Sequence, residues 1–470
     1  LIKINKGYKN INIINLKGGT AVKKILLIFS VILFAMGCSN KSENPGEISK
    51  EISKKIEVLS TRKVKKNLKN EETVLIDTRS YDEYNGWDIK ETGIQGHISG
   101  AYNLPASSLE HEGIEASLER KGITKDNKII LYGDDTSMAE ILSEKGYDVY
   151  LYEAGIKEWN KKKYSIEKLP RYESLVPVSW VKKLLEEKDV PEYNGKPVKV
   201  INAGWGKKGK FHKDGHIPGS YYVHTGWFEV GPLWNRVSDE TIKTELEKLG
   251  ITKETLVIVY GEDPMPAARF AIICKYAGVE DVRIINGGWK AWQEAGYSTE
   301  EGIEYPLPVE EFGMKVPGNP DIIIDLPEAE NYLKSDKSDL VSIRSWKEYI
   351  GKISGYDYIK PRGRIRGDKW GMGGSDPWHL EEYRADYGTY MRPYNEILKM
   401  WEDLNIDTDK NIAFYCGTGW RASEVLFYAY VMGLDKVSLY DGGWKEWSEN
   451  PETEDKILKG EPENLNEEKY

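Results

Sequence analysis

Asn411-Ile412-Ala413-Phe414-Tyr415-Cys416-Gly417-Thr418-Gly419-Trp420-Arg421-Ala422-Ser423-Glu424 reads as a strand, a glycine-spaced turn and the start of a helix. The apolar run ending at Tyr415 suits a buried strand, and the segment from Ala422 to Met432 suits a helix. Cys416 falls between them. Glycines at 417 and 419 let successive backbone amides curl inward, and the helix adds its own N-terminal amides. Such a cup favours an anion, which suits a thiolate that attacks sulfur. Arg421 adds a positive charge. Taken alone, Cys416 reads equally as a small buried hydrophobe at a strand end.

The rest of the chain repeats this pattern. Lys128-Ile129-Ile130-Leu131-Tyr132-Gly133 and Leu256-Val257-Ile258-Val259-Tyr260-Gly261 align with Asn411 to Cys416, and only the last copy carries sulfur. Each copy follows a helix end and turn (Lys121-Gly122-Ile123-Thr124, Leu249-Gly250-Ile251-Thr252, Leu404-Asn405-Ile406-Asp407). Each precedes a second strand and a turn with spaced aromatics, best seen in Gly287-Gly288-Trp289-Lys290-Ala291-Trp292 and Gly442-Gly443-Trp444-Lys445-Glu446-Trp447. Those tryptophans share a helical face and read as core. Upstream lie Asp77-Thr78-Arg79, Asn202-Ala203-Gly204 and Ser342-Ile343-Arg344. After them come the turns Gly96-His97-Ile98, Gly215-His216-Ile217 and Gly363-Arg364-Ile365. His97 and His216 occupy matching turns in units without a nucleophile, so both read as structural. Strands alternating with helices at this spacing predict α/β units, each an open mainly parallel sheet with helices on both faces and ligands at the carboxyl ends of strands.

These segments resemble the signatures of rhodanese-like sulfurtransferases, across roughly residues 56–450. The resemblance implies three tandem rhodanese-like domains at 56–168, 172–300 and 319–452, the first two inactive and the third catalytic. It implies Cys416 as the nucleophile that carries sulfur as a persulfide, cradled by Gly417, Thr418, Gly419, Trp420 and Arg421. The spacing Cys-x4-Arg is one residue tighter than the Cys-x5-Arg of cysteine-dependent phosphatases, and the smaller cup suits sulfur. In the silent units Gly133-Asp134-Asp135 and Gly261-Glu262-Asp263 stand at the loop, where acidic side chains oppose an anionic donor. Cys274, inside an apolar segment, reads as core.

Between Ser345 and Tyr394 the third unit is longer than its siblings and rich in cations and glycine. Arg364, Arg366 and Lys369 are the expected contacts to an anionic sulfur donor, against the alternative of a solvated loop. Trp420 is expected to wall the pocket, and Arg344, by analogy with Arg79 in a silent unit, to be structural.

At 470 residues with 40% hydrophobic and 30% charged composition, the chain has the make-up of a multidomain globular protein. A net charge of −10 without a concentrated basic block excludes a nucleic-acid partner. Three cysteines, Cys38, Cys274 and Cys416, make no disulfide framework or zinc pattern, and no cofactor is called for. Lys23-Lys24 and the apolar run Ile25 to Ala35, closed by Met36-Gly37-Cys38, form an export signal whose end resembles a bacterial lipobox. The expectations are a signal at 22–37, lipidation at Cys38, a linker at 38–55 and anchoring to the outer face of the cell membrane; the alternative is a soluble periplasmic or secreted protein. Residues 1–21 read as a mistranslated leader, because Lys17-Gly18-Gly19 is encodable as a ribosome-binding sequence ahead of Val22.

The expected activity is transfer of a sulfane sulfur from thiosulfate to cyanide or a thiol. The alternatives are a 3-mercaptopyruvate sulfurtransferase and a non-catalytic binding or redox-sensing protein. The two silent units are expected to wall the active pocket and to offer a surface for a protein partner.

Overall fold

The runs Ile129–Tyr132, Leu256–Tyr260 and Ile412–Tyr415 are buried along their whole length, as the central strand of a sheet covered on both faces must be. The computed structural model describes residues 56–108, 113–135, 137–187, 190–206, 215–302 and 305–462. Each repeat closes on a sheet of five strands. The first has β1 (Glu57–Val58), β2 (Thr73–Asp77), β3 (Tyr102–Asn103), β4 (Lys128–Tyr132) and β5 (Asp148–Leu151). The second has β6 (Leu175–Val176), β7 (Val198–Gly204), β8 (Tyr221–His224), β9 (Leu256–Tyr260) and β10 (Asp281–Ile285). The third has β11 (Ile323–Ile324), β12 (Ser338–Ser342), β13 (Lys369–Trp370), β14 (Asn411–Tyr415) and β15 (Val437–Tyr440). In chain order within a unit, the strands lie first, fifth, fourth, second, third in all three sheets. Every neighbouring pair is parallel.

This order places the fourth strand at the point where the winding reverses, and its carboxyl end is where such sheets hold ligands. In the third unit that strand is β14, with Ala413 between Leu340 of β12 and Ser438 of β15. Its last residue is a tyrosine in every unit. Tyr132 and Tyr260 accept the amides of Ile98 and Ile217 at 2.9 and 3.0 Å, and Tyr415 donates to the Asp368 carboxylate. The turns so held are also pinned to the segments that leave each unit. His97 pairs with Glu167, His216 bridges Glu300, and Arg364 pairs with Leu458. His97 and His216 are buried there, bonded to the carbonyls of Tyr84 and Ile217.

The second and third units share one core. Helix Pro264–Ala277, which follows β9, packs on helix Trp420–Val431, which follows the cysteine loop. Cys274 lies in that core, where burial pushes its thiol pKa up, in line with a packing role. Buried ion pairs cross the boundaries. Arg269 of the second unit reaches Asp441 at 2.6 Å, and Lys121 of the first unit reaches Glu396 at 2.7 Å; Arg384, paired with Glu424 in its own unit, also reaches the half-exposed Asp263 of the second at 2.9 Å. Asp386 accepts from Tyr81 and Ser107. The long segment of the third unit therefore binds the other units together. Among the described residues no helix is long and apolar enough to cross a membrane.

The paired glycines before the last helix of the third unit have a specific job. Gly443 sits at φ +54°, and the amides beyond it, Trp444 N and Lys445 N, donate to the carbonyls of Cys416 and Gly417 at 2.8 and 3.0 Å. A Cβ at 443 would stand 2.7 Å from the Cys416 carbonyl oxygen. The second unit repeats the contact between Trp289 N and Gly261 O, so the motif clamps the end of the fourth strand from behind. Trp444 and Trp447 are fully buried, as their spacing predicts. Gly443→Ala is expected to destabilise the fold by about 1–3 kcal/mol from backbone strain, read by urea denaturation, and to slow turnover by moving the cysteine loop.

Candidate active site

Cys416 leaves β14 directly and is only 1% exposed. Gly419, at φ +89°, caps helix Trp420–Val431 without any side chain bonding to the helix start. No acceptor among the described residues takes the amides of Gly417, Thr418 or Gly419. Buried amides must find a partner, and an anion on the cysteine is the partner this geometry favours. The helix adds about half a positive charge at the same end.

The two units without a cysteine at this position show the contrast. In the first, Ser137 N donates to the Asp135 carboxylate at 2.8 Å; in the second, Met265 N donates to the Asp263 carboxylate at 2.8 Å. Their helices are capped by their own chain. Each capping carboxylate stands two residues beyond the position that Cys416 holds, where the third unit has Thr418. The second unit still has a cavity of about 190 Å³ at this end of its sheet, lined by Gly204, Trp205, Tyr222 and Glu262 among others, with Gly261 in place of cysteine.

Arg421 is buried and forms a two-pronged pair with Glu348, at 3.0 and 2.9 Å. Glu348 also accepts from the Ser345 amide and hydroxyl, which closes a capping box on the short helix Trp346–Tyr349. Burial acts to raise the Glu348 pKa, but the Arg421 charge outweighs it and holds the carboxyl below its ordinary value. Arg421 also donates to the Asp376 carbonyl and, at 3.1 Å, to the Tyr356 hydroxyl. The Tyr356 ring lies against Gly417, so close that a Cβ there would meet it at 2.3 Å. Tyr356 thus covers the cup, and burial keeps it a neutral phenol.

Trp420 is tied to the second unit. Its indole donates to Glu229 at 2.6 Å, and the same oxygen accepts from Arg269 at 2.9 Å. Tyr358 lies near Cys416 and Glu229, and burial raises its phenol pKa. Tyr356, Tyr358 and Trp378 form an aromatic rim, with centroids 5.3 and 6.2 Å apart along the chain of contacts.

Of the residues expected from sequence, the structure places Cys416, Gly417, Thr418 and Gly419 in one loop and Trp420 and Arg421 at the helix start that follows it. It ties the side chains of two expected substrate cations, Arg364 and Lys369, to partners of their own. Arg364 is buried and donates to the Gly460 carbonyl at 2.6 Å, holding the exit segment, because its turn position is the one His97 and His216 fill in the sibling units. Arg366 is half-buried, with its amide on the Lys456 carbonyl. Lys369 pairs with Asp339 at 2.8 Å, and Asp339 stands beside Ile412, four positions before Cys416 on the strand. Arg344 is buried, bonded to Ser342 and the Gly363 carbonyl, and stacks over Trp444. Cys38 lies outside the described residues. Sequence reasoning missed Glu348, Tyr356, Tyr358 and Glu229; only Glu348 left a signal, as the last residue of the capping box begun at Ser345. Among the described residues no group of His, Cys, Asp and Glu is arranged to hold a metal ion.

Comparison with known proteins agrees with this geometry. The rhodanese-like domain model matches residues 60–162, 178–295 and 325–450. The chain is 42% identical over 380 residues to the thiosulfate sulfurtransferase YnjE of Escherichia coli strain K12, covering 80% of this chain and 87% of the relative. It is 30% identical over 286 residues to the sulfur carrier protein TtuD of Thermus thermophilus, covering 58% of this chain and 93% of the relative. Among solved structures, an anaerobic ergothioneine biosynthesis enzyme from Chlorobium limicola in complex with trimethyl histidine superposes with a TM-score of 0.83 at 37% identity. That match covers 87% of this chain and all (100%) of the other.

Two outcomes follow from the site itself. Glu348→Gln strands the buried Arg421 charge and is expected to lower stability by about 3–5 kcal/mol, measured by denaturant titration. Tyr356→Ala uncovers the cup, so alkylation of Cys416 by iodoacetamide should run about tenfold faster than in the wild type, following exposure; an unchanged rate would mean that Tyr356 does not control access.

Proposed function

The chain belongs to the rhodanese-like family, and from that premise we propose that this sulfurtransferase takes its sulfur from thiosulfate on Cys416. The observation that carries the proposal is the uncapped helix start beneath a lone cysteine in one unit of three. The Cys416 thiolate attacks the outer sulfur of thiosulfate, the sulfur–sulfur bond breaks, and sulfite leaves with the electron pair. The amides of Gly417, Thr418 and Gly419 hold the charge of the resulting persulfide. Cyanide or a thiolate then attacks the outer sulfur, forms thiocyanate or a new persulfide, and returns the Cys416 thiolate.

Thiosulfate is favoured over 3-mercaptopyruvate by the state of the nearby cations. A carboxylate-bearing donor calls for an available cation, yet Arg421 is paired with Glu348, Lys445 with Glu449, and Arg269 with Glu229 and Asp441. The positive field that remains is that of backbone amides, which suits a small compact anion. The name of the relative 42% identical to this chain points the same way.

A second reading concerns the acceptor. The rim of Tyr356, Tyr358 and Trp378 offers flat faces to an aromatic or cationic acceptor, in keeping with the similarity to the enzyme bound to trimethyl histidine. The proposed enzyme is also exported and tethered by a lipid on Cys38, a reading that rests on the pattern of residues 22–38.

Steady-state assays with thiosulfate and with 3-mercaptopyruvate, each against cyanide, a thiol and trimethyl histidine, test these points. Thiosulfate is expected to support ping-pong turnover that Cys416→Ser abolishes. Faster turnover with 3-mercaptopyruvate would overturn the donor assignment, and sulfur transfer to trimethyl histidine alone would replace cyanide and thiols by the second reading.

A further inference from the structure

The hairpin of Glu229–Val230 and Asn235–Arg236 belongs to the second unit, yet it reaches the cysteine loop of the third. Glu229 is buried, and its Oε1 accepts both the Trp420 indole N–H at 2.6 Å and the Arg269 Nε–H at 2.9 Å. Arg269 is held in turn by Asp441 at 2.6 Å, and the same aspartate accepts the Arg236 amide at 2.7 Å. Asp441 immediately precedes Gly442-Gly443, the turn whose following amides clamp the carbonyls of Cys416 and Gly417. Trp420 is the first residue of the helix whose start forms the cup. The carboxyl of Glu229 therefore joins the segment in front of the nucleophile to the segment behind it.

We propose that Glu229 is a positioning residue for sulfur transfer: through Trp420 and Arg269 it fixes Gly419–Trp420 and Asp441–Gly443, the two backbone segments between which Cys416 sits. The inference rests on the sulfurtransferase reading above and gives the silent second unit a part in the chemistry of the third. Arg421 is pinned within its own unit by Glu348, whereas Trp420 is pinned from outside. Two buried carboxylates on separate units thus set consecutive residues of one loop.

The arrangement depends on charge. Burial raises the Glu229 pKa to about 7, against the opposing pull of Arg269 and Trp420. The other ionisable groups around it are Asp441 and Tyr358, with Cys416 beyond. Above that pH the carboxylate draws both donors; as pH falls through it, Glu229 takes a proton and its attraction to Arg269 is lost.

The test uses the full chain and its variant E229Q. At about pH 8 the kcat of E229Q is expected to be about tenfold below wild type, with the thiosulfate KM within about twofold, as for a misplaced nucleophile. The ratio of wild type to E229Q should close toward one as the pH is lowered to about 6, because protonated Glu229 resembles glutamine. W420F removes the other end of the bond, and the double variant should be no slower than either single one. A wild-type rate for E229Q at about pH 8, a ratio that does not change with pH, or additive defects would overturn the inference. If circular dichroism shows that E229Q does not fold, a wild-type rate for W420F overturns it instead. End-point sulfur loading, read by intact mass, separates the two claims. Wild type that takes up no sulfur sinks the underlying reading, whereas loading in both proteins with equal rates sinks the role of Glu229 alone.

Discussion

Everything distinctive about this protein depends on one helix start being left without an acceptor. A helix begins with amides that need a partner, and proteins usually supply a side chain for the purpose. Here three copies of the same strand-loop-helix unit offer an internal comparison. Two copies use Asp135 and Asp263 to cap their own helices. The third has Thr418 opposite those aspartates, flanked by Gly417 and Gly419, and a cysteine at the strand end; no side chain bonds its helix start, so a substrate-derived charge is the natural partner for the amides. A few side chains separate the units without a cysteine at this strand end from the one that carries it, on the same sheet order.

The surroundings serve to hold that loop still. Glycine at 443 lets two amides clamp the carbonyls of Cys416 and Gly417. Glu348 fixes Arg421 and Glu229 fixes Trp420. Desolvating these charges costs energy that each pair only partly returns, so their value here lies in geometry rather than in stability. Buried ion pairs join the first and second units to the third, the second and third share a continuous core, and Asp263 both caps its own helix and binds Arg384.

The fold was legible in the sequence because the three apolar runs repeat, and burial on both faces is what such runs require. The loop was legible because cysteine, spaced glycines and the helix start are contiguous. The substrate cations were not. Charge and flexibility in the stretch around Arg364 and Lys369 look the same on paper whether they face a ligand or an interface. In the fold Arg364 takes a turn position set by its siblings, and Lys369 is drawn to Asp339. Glu229 and Tyr358 were beyond reach for a different reason. Glu229 comes from a unit without a nucleophile and Tyr358 precedes the loop by many residues, so only the packing of units brings the first, and the folding of the third unit the second, to the cysteine loop.

The most direct measurement is peptide-resolved mass spectrometry of the purified chain after exposure to thiosulfate. The account predicts the mass of one sulfur atom on the peptide that contains Cys416 and none on the peptide that contains Cys274. Sulfur on neither peptide, or equally on both, would contradict it.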